Sequence, residues 1–168
     1  MSIVIRTCAR LLLLHDNKVL LMKIGDLDIG PVGGVKRETF WCTIGGGMEE
    51  GETIEHAALR EVYEETGIAK ELVELGPLVW CTEIDLIWKE QATRFKEYYV
   101  VAKTAQKEVT LHALTDDEKA VVKELRWFSL QDIIDCKDPI FPEFLPEYLP
   151  AILAGDYPKE MLEFDLNI

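Results

Sequence analysis

The stretch from Gly45 to Ile68, GGGMEEGETIEHAALREVYEETGI, restricts the chain more than any other. Its opening glycines allow backbone angles closed to other residues and let a ligand approach main-chain atoms closely. Behind them the pattern predicts a helix from about Ile54 to Thr66, with Thr53 as N-cap, Glu52 and Glu55 at its positive end and Gly67 as its stop. At about 100° per residue, Glu61, Glu64 and Glu65 fall within an arc of roughly 100°, while Leu59, Val62 and Thr66 point to nearly the other side. One face is then free to pack and the other to hold a cation. Carboxylates that close together repel one another unless something neutralises them, and a hard divalent ion that prefers oxygen ligands is the natural candidate.

The rest of the chain reads as a frame for this stretch. Ile3 to His15 and Val19 to Lys23, on either side of the turn residues His15-Asp16-Asn17-Lys18, predict two antiparallel strands. The run Leu11 to Leu14 is too short for periodicity to separate strand from helix, and its neighbours favour strand. Gly25 to Glu38, rich in glycine and containing Pro31, reads as a mobile loop, either plain surface or a substrate-facing lid. Phe40 to Ile44 predicts a short strand leading into a glycine-rich loop. Val79 to Leu86 and Lys96 to Lys103 read as strands joined by a polar connection, Ile87 to Arg94.

Lys103 to Lys123 is polar and acidic, Leu125 to Phe128 predicts a strand, and a helical C-terminal segment begins at about residue 129, where Ser129 can cap. Pro142, Pro146 and Pro150 predict breaks or short helical turns, with a brief helix from Ala151 to Ala154 ending at Gly155. The tail after Pro158 either docks or frays.

With 168 residues and 48% hydrophobic content, the chain suits one ordinary core, so residues 1–168 are expected to form a single domain. The N-terminus lacks the basic start and cleavage site of a signal peptide, and polar residues interrupt its apolar run far short of a membrane span, which points to a cytoplasmic protein. A formal charge of −13 argues against a broad surface for long nucleic acid, while small anionic substrates stay open to a site whose metal supplies positive charge locally. Cys8, Cys42, Cys81 and Cys136 are scattered and read as reduced thiols rather than a zinc site or a disulfide framework.

Gly46, five residues, Glu52, seven residues, then Arg60-Glu61-Val62-Tyr63-Glu64-Glu65-Thr66-Gly67-Ile68 resembles the complete signature box of the Nudix hydrolases. One position departs: Ile44 precedes Gly45 where many members carry proline, which leaves the loop less rigid without removing a ligand. The resemblance implies an α/β fold of the Nudix type, an α/β/α sandwich with a mixed β-sheet between helices. It also implies a metal-dependent pyrophosphohydrolase that cleaves a diphosphate linkage in a nucleoside diphosphate derivative, with Mg2+ or Mn2+ as cofactor. Carried over residue by residue, it makes Glu64 and Glu65 principal metal ligands, joined by Glu61 and the Gly45 carbonyl. Glu61 is also the first choice to orient or deprotonate the attacking water. Glu52 and Arg60 pair with other box residues and hold helix and loop together, and Gly46 and Gly67 shape the backbone. A further glutamate from a later loop often completes such sites, and Glu118 is the candidate.

His56 lies off the acidic arc and reads as surface or packing. Trp41, Trp80, Trp88, Phe40 and Tyr98 include candidates for a base-stacking platform, each also explicable by packing. Thr82 to Leu86 carries neither the proline expected of ADP-ribose hydrolases nor the tyrosine expected of dinucleoside polyphosphate hydrolases. That absence weakens both assignments without excluding them, and because the chain is compact a modified nucleoside triphosphate, as in the MutT-like branch, is the first substrate expectation. The alternatives are ADP-ribose or a nucleotide sugar, more so if a monomer gives way to a homodimer, or a Nudix-like module that binds a nucleotide without hydrolysing it.

Overall fold

In the first strand, β1 (Val4–His15), neighbouring leucines part company: Leu11 and Leu13 enter one core cluster, Leu12 and Leu14 the other. A strand covered on both faces needs an unbroken apolar run, which is why periodicity alone leaves this segment undecided. The computed structural model describes residues 2–167. β1 turns into β2 (Lys18–Gly25) through Asp16 and Asn17, both at positive φ, 48° and 59°, as a tight hairpin requires.

β1 runs parallel to β6 (Gln91–Thr104) and antiparallel to β2 and β4 (Thr39–Gly47). The sheet order is β3 (Ile29–Pro31), β5 (Val73–Trp88), β6, β1, β2, β4, β8 (Ile140–Phe141). β7 (Val122–Phe128) pairs with β2, and β9 (Leu162–Asp165) joins β5 in parallel. Helix α1 (Ile54–Thr66) gives Ala58 and Val62 to one core. After the short α2 (Asp116–Val121), helices α3 (Leu130–Asp135) and α4 (Leu145–Leu153) give Ile133, Leu145, Leu149 and Ile152 to the other. The result is the mixed α/β fold with a large mixed sheet that the sequence predicts.

Several local expectations are corrected. The glycines after Ile44 are not a loop: β4 continues through Gly47, with Gly45, Gly46 and Gly47 paired to Arg10, Ala9 and Cys8 of β1. The polar connection Ile87 to Arg94 is mostly strand, closed by a two-residue turn at Lys89 and Glu90 with φ of 48° and 65°. Cross-strand pairing of long strands decides this turn, and neither residue is one that advertises it. α4 runs unbroken from Leu145 through Pro150 to Leu153. Pro146 sits in the first turn, where no N–H is needed, and the loss at Pro150 is offset by burial of Leu145, Leu149 and Ile152 on one face. The segment from residue 129 also carries β8 and β9, so it is not purely helical, and the tail docks as a strand beside β5. Within Gly25 to Glu38, β3 forms, and the Arg37 N–H donates to the Ile29 carbonyl at 2.8 Å.

Candidate active site

Helix α1 begins as its sequence requires, with the Thr53 hydroxyl accepting from the His56 N–H at 3.1 Å, and ends at Gly67 with φ of 76°. Its buried face differs from the expected division. Val62 and Thr66 are buried, but so are Glu61 and Glu65, at 5% and 2% exposure, so acids and apolar residues share one broad inward surface. Leu59 is only half-buried and His56 is exposed.

Glu65 is anchored by the Gly45 N–H, which donates to its Oε2 at 3.1 Å. Burial, and then the neighbouring Glu61 carboxylate, push Glu65 well above the ordinary carboxylate range, and the same causes raise Glu64. Gly46 makes room for Glu61: a Cβ there would stand 2.7 Å from Glu61 Oε1. On α2, Thr115 and Glu118 form a capping box, in which Glu118 Oε1 accepts from the Thr115 N–H at 3.1 Å. One oxygen each from Glu61, Glu65 and Glu118 lies within 4.8 Å of the others. Three converging carboxylate oxygens are the donor type that a hard divalent cation such as Mg2+ takes, so this set fits such an ion in chemistry.

Arg60 binds the rest of the box. Its Nε and Nη2 donate to the two oxygens of Glu52 at 2.8 and 2.9 Å, Nη2 also reaches the Gly47 carbonyl at 3.0 Å, and Nη1 reaches Glu61 and Glu64 at 3.0 and 3.2 Å. The guanidinium holds the Glu52 carboxyl down to about 2. Glu64 thus lines the same cavity as the cluster while Arg60 claims one of its oxygens. The Gly45 carbonyl accepts from Arg10 Nη1 at 3.0 Å, so a cation at that oxygen would share it with a guanidinium.

The carboxylates open into a cavity of about 410 Å3 whose walls include Phe40, Trp88, Phe95 and Phe141. Of the aromatics the sequence singles out, Phe40 and Trp88 line it, while Trp41 and Trp80 lie in the other core. Tyr98 is half-buried and points elsewhere; its neighbour Tyr99 is the one at the cavity.

A model of the NUDIX domain matches residues 5–150 of this chain. The chain belongs to the NUDIX family. The diphosphoinositol polyphosphate phosphohydrolase 3-alpha of Mus musculus is 30% identical over 108 residues, which are 62% of this chain and 58% of that protein. Nucleoside triphosphatase NudI of Escherichia coli (strain SE11) is 37% identical over 97 residues, 57% of this chain and 63% of that protein. The match thus spans about three fifths of each of these NUDIX relatives. Among solved structures, a NUDIX hydrolase from Nitrosomonas europaea shares the fold at a TM-score of 0.65 and 19% identity, covering 98% of this chain and 81% of that one.

Sequence reasoning missed much of the NUDIX cavity. Arg10 pairs with Glu97 across the sheet and donates to the Thr43 and Gly45 carbonyls beneath the cluster. Arg6 and Arg37 also line the cavity. The available signal was an arginine at position 10 between Ala9 and the apolar run Leu11 to Leu14, followed at position 97 by a lone carboxylate in a strand of mostly apolar and basic residues.

Proposed function

We propose that this chain hydrolyses a diphosphate linkage in a nucleoside diphosphate derivative, with Mg2+ as the metal and Mn2+ as its substitute. The observation that carries this reading is the convergence of Glu61, Glu65 and Glu118 at the wall of a cavity large enough for a nucleotide-sized ligand. A bound divalent ion supplies the positive charge that an anionic diphosphate and its leaving phosphate require, and it lowers the pKa of bound water.

The chain's own residues do the rest. Glu61, Glu65 and Glu118 would hold the ion, with Glu64 joining once one of its oxygens turns from Arg60. Glu61, held at Oε1 by Arg60, is also the carboxylate that would orient or take a proton from the attacking water. Arg60 and Glu52 position Glu61 and Glu64 against the Gly47 carbonyl and act through them. The aromatic wall offers faces for a base.

For the substrate we favour a nucleoside triphosphate, in keeping with the similarity to nucleoside triphosphatase NudI. The test is a phosphate-release and pyrophosphate-release screen over modified and ordinary nucleoside triphosphates, ADP-ribose, nucleotide sugars and dinucleoside polyphosphates, each with Mg2+ and with Mn2+. Turnover of a triphosphate above the others supports the reading. Tight binding without turnover across the whole panel overturns it.

A further inference from the structure

Three arginines face the cavity, and they are not in the same electrical state. Arg10 is neutralised: its Nε pairs with Glu97, and its Nη1 donates to the Thr43 and Gly45 carbonyls. Among the described residues, no carboxylate stands within ion-pair distance of Arg6 or Arg37. Neither guanidinium is loose, however. Arg6 lies over the Trp88 ring with its Cζ 4.6 Å from the centroid, and Arg37 lies 3.8 Å over Phe141 and 5.5 Å from Phe40. Stacking fixes the plane of a guanidinium and leaves its edge N–H groups directed outward as a fork.

The third glycine of the signature stretch belongs to this arrangement. Arg6 and Cys8 are alternate residues of β1, and Cys8 pairs with Gly47. A Cβ on Gly47 would meet Arg6 Nη2 at 2.6 Å and Cζ at 2.7 Å, so the bare backbone is what lets the guanidinium lie beside the strand. Gly46 gives the same room to Glu61 on the acidic side. Two adjacent glycines thus admit an anionic group and a cationic group to the same cavity. Burial also lowers the affinity of Arg37 for its proton, and the more distant charges of Glu97 and Glu143 offset this only in part.

We propose that Arg6 and Arg37 are substrate-contacting residues that bind phosphate oxygens in the cavity, across from the carboxylates. The ligand class is a di- or triphosphate chain, because a planar fork that is held in place and lacks a carboxylate partner matches phosphate oxygens two at a time. Lysines would supply the charge without the fork. The proposal deepens the hydrolase reading and rests on it for the identity of the ligand, but its test does not need turnover.

Inorganic pyrophosphate and tripolyphosphate are titrated into the protein by calorimetry with Mg2+ present, comparing the wild type with Arg6→Gln, Arg37→Gln and Arg37→Lys. Mn2+ affinity, read by electron paramagnetic resonance, and thermal melting are followed in parallel. The expected result is a loss of about tenfold or more in polyphosphate affinity for each Gln variant, since each removes charge-assisted hydrogen bonds, with Mn2+ affinity and melting unchanged. Arg37→Lys, which keeps the charge, recovers part of the loss. Where a nucleotide is turned over, the same Gln variants raise KM more than they lower kcat. Unchanged polyphosphate affinity in both Gln variants, or no polyphosphate binding by a wild type that binds Mn2+, overturns the assignment. Absence of nucleotide turnover beside intact, arginine-dependent polyphosphate binding defeats the hydrolase reading alone.

Discussion

Glu65 shows how much of the site's chemistry sits in single residues. Its carboxyl is 2% exposed, beside Glu61, and its affinity for a proton is raised well above that of an exposed glutamate. At pH values between the unfolded glutamate pKa of about 4.3 and its own raised value, the metal-free folded protein keeps a proton that the unfolded chain has released. The stability associated with that proton is full below the unfolded value and is lost as pH rises through the folded one. Glu65→Gln mimics the neutral carboxyl and can still accept from the Gly45 N–H. In metal-free buffer the variant is expected to melt above the wild type at pH 8, with the gap closing towards pH 4.5. Thermal melts across that range check this, and a gap that does not change with pH would contradict the assigned burial cost. Glu52 has the opposite sign: held down to about 2 by Arg60, it lends stability above the ordinary glutamate range that disappears only as pH falls towards that value.

At the scale of elements, the site is the meeting of β1, the glycine end of β4, α1 and α2. The glycines are not interchangeable. A Cβ at Gly45 would stand 2.1 Å from the Ala9 carbonyl oxygen, at φ of 140°, and backbone cannot step aside. At Gly47 the obstacle is the tip of Arg6, which can. Gly45→Ala is therefore expected to lower stability by about 2 to 4 kcal/mol, and Gly47→Ala by clearly less, as measured by denaturant unfolding. Equal losses would show that strand pairing, rather than close approach, sets the requirement.

α1, its cap and its stop were legible in the sequence because each depends on neighbours a few residues away. The register that carries the glycines into β4, the turn at Lys89 and Glu90 and the continuation of α4 through Pro150 were not, because distant pairing and burial decide them. The same distinction holds at the site. The box acids stand at helical spacing, whereas Arg6, Arg37 and Glu97 reach the cavity only through the fold.

Across the whole molecule, two apolar cores on opposite faces of one sheet hold this junction still. The core behind α1 supports the carboxylates, and α3 and α4 close the other face. No helix among the described residues is long and apolar enough to cross a membrane. A chain carrying a net −13 repels a free polyphosphate at long range, so the proposed ligand requires local positive charge, which a metal at the carboxylates and the cavity arginines would supply. On the proposed reading, Glu61, Glu65 and Glu118 act together on a diphosphate through a divalent ion. The most direct test is the Mg2+-dependent rate of phosphate or pyrophosphate release from the best substrate of the screen, measured for the wild type and for Glu65→Gln at a temperature where both are folded. The expected result is a fall in kcat/KM of about 100-fold or more in the variant. Undiminished Mg2+-dependent turnover by Glu65→Gln would contradict it.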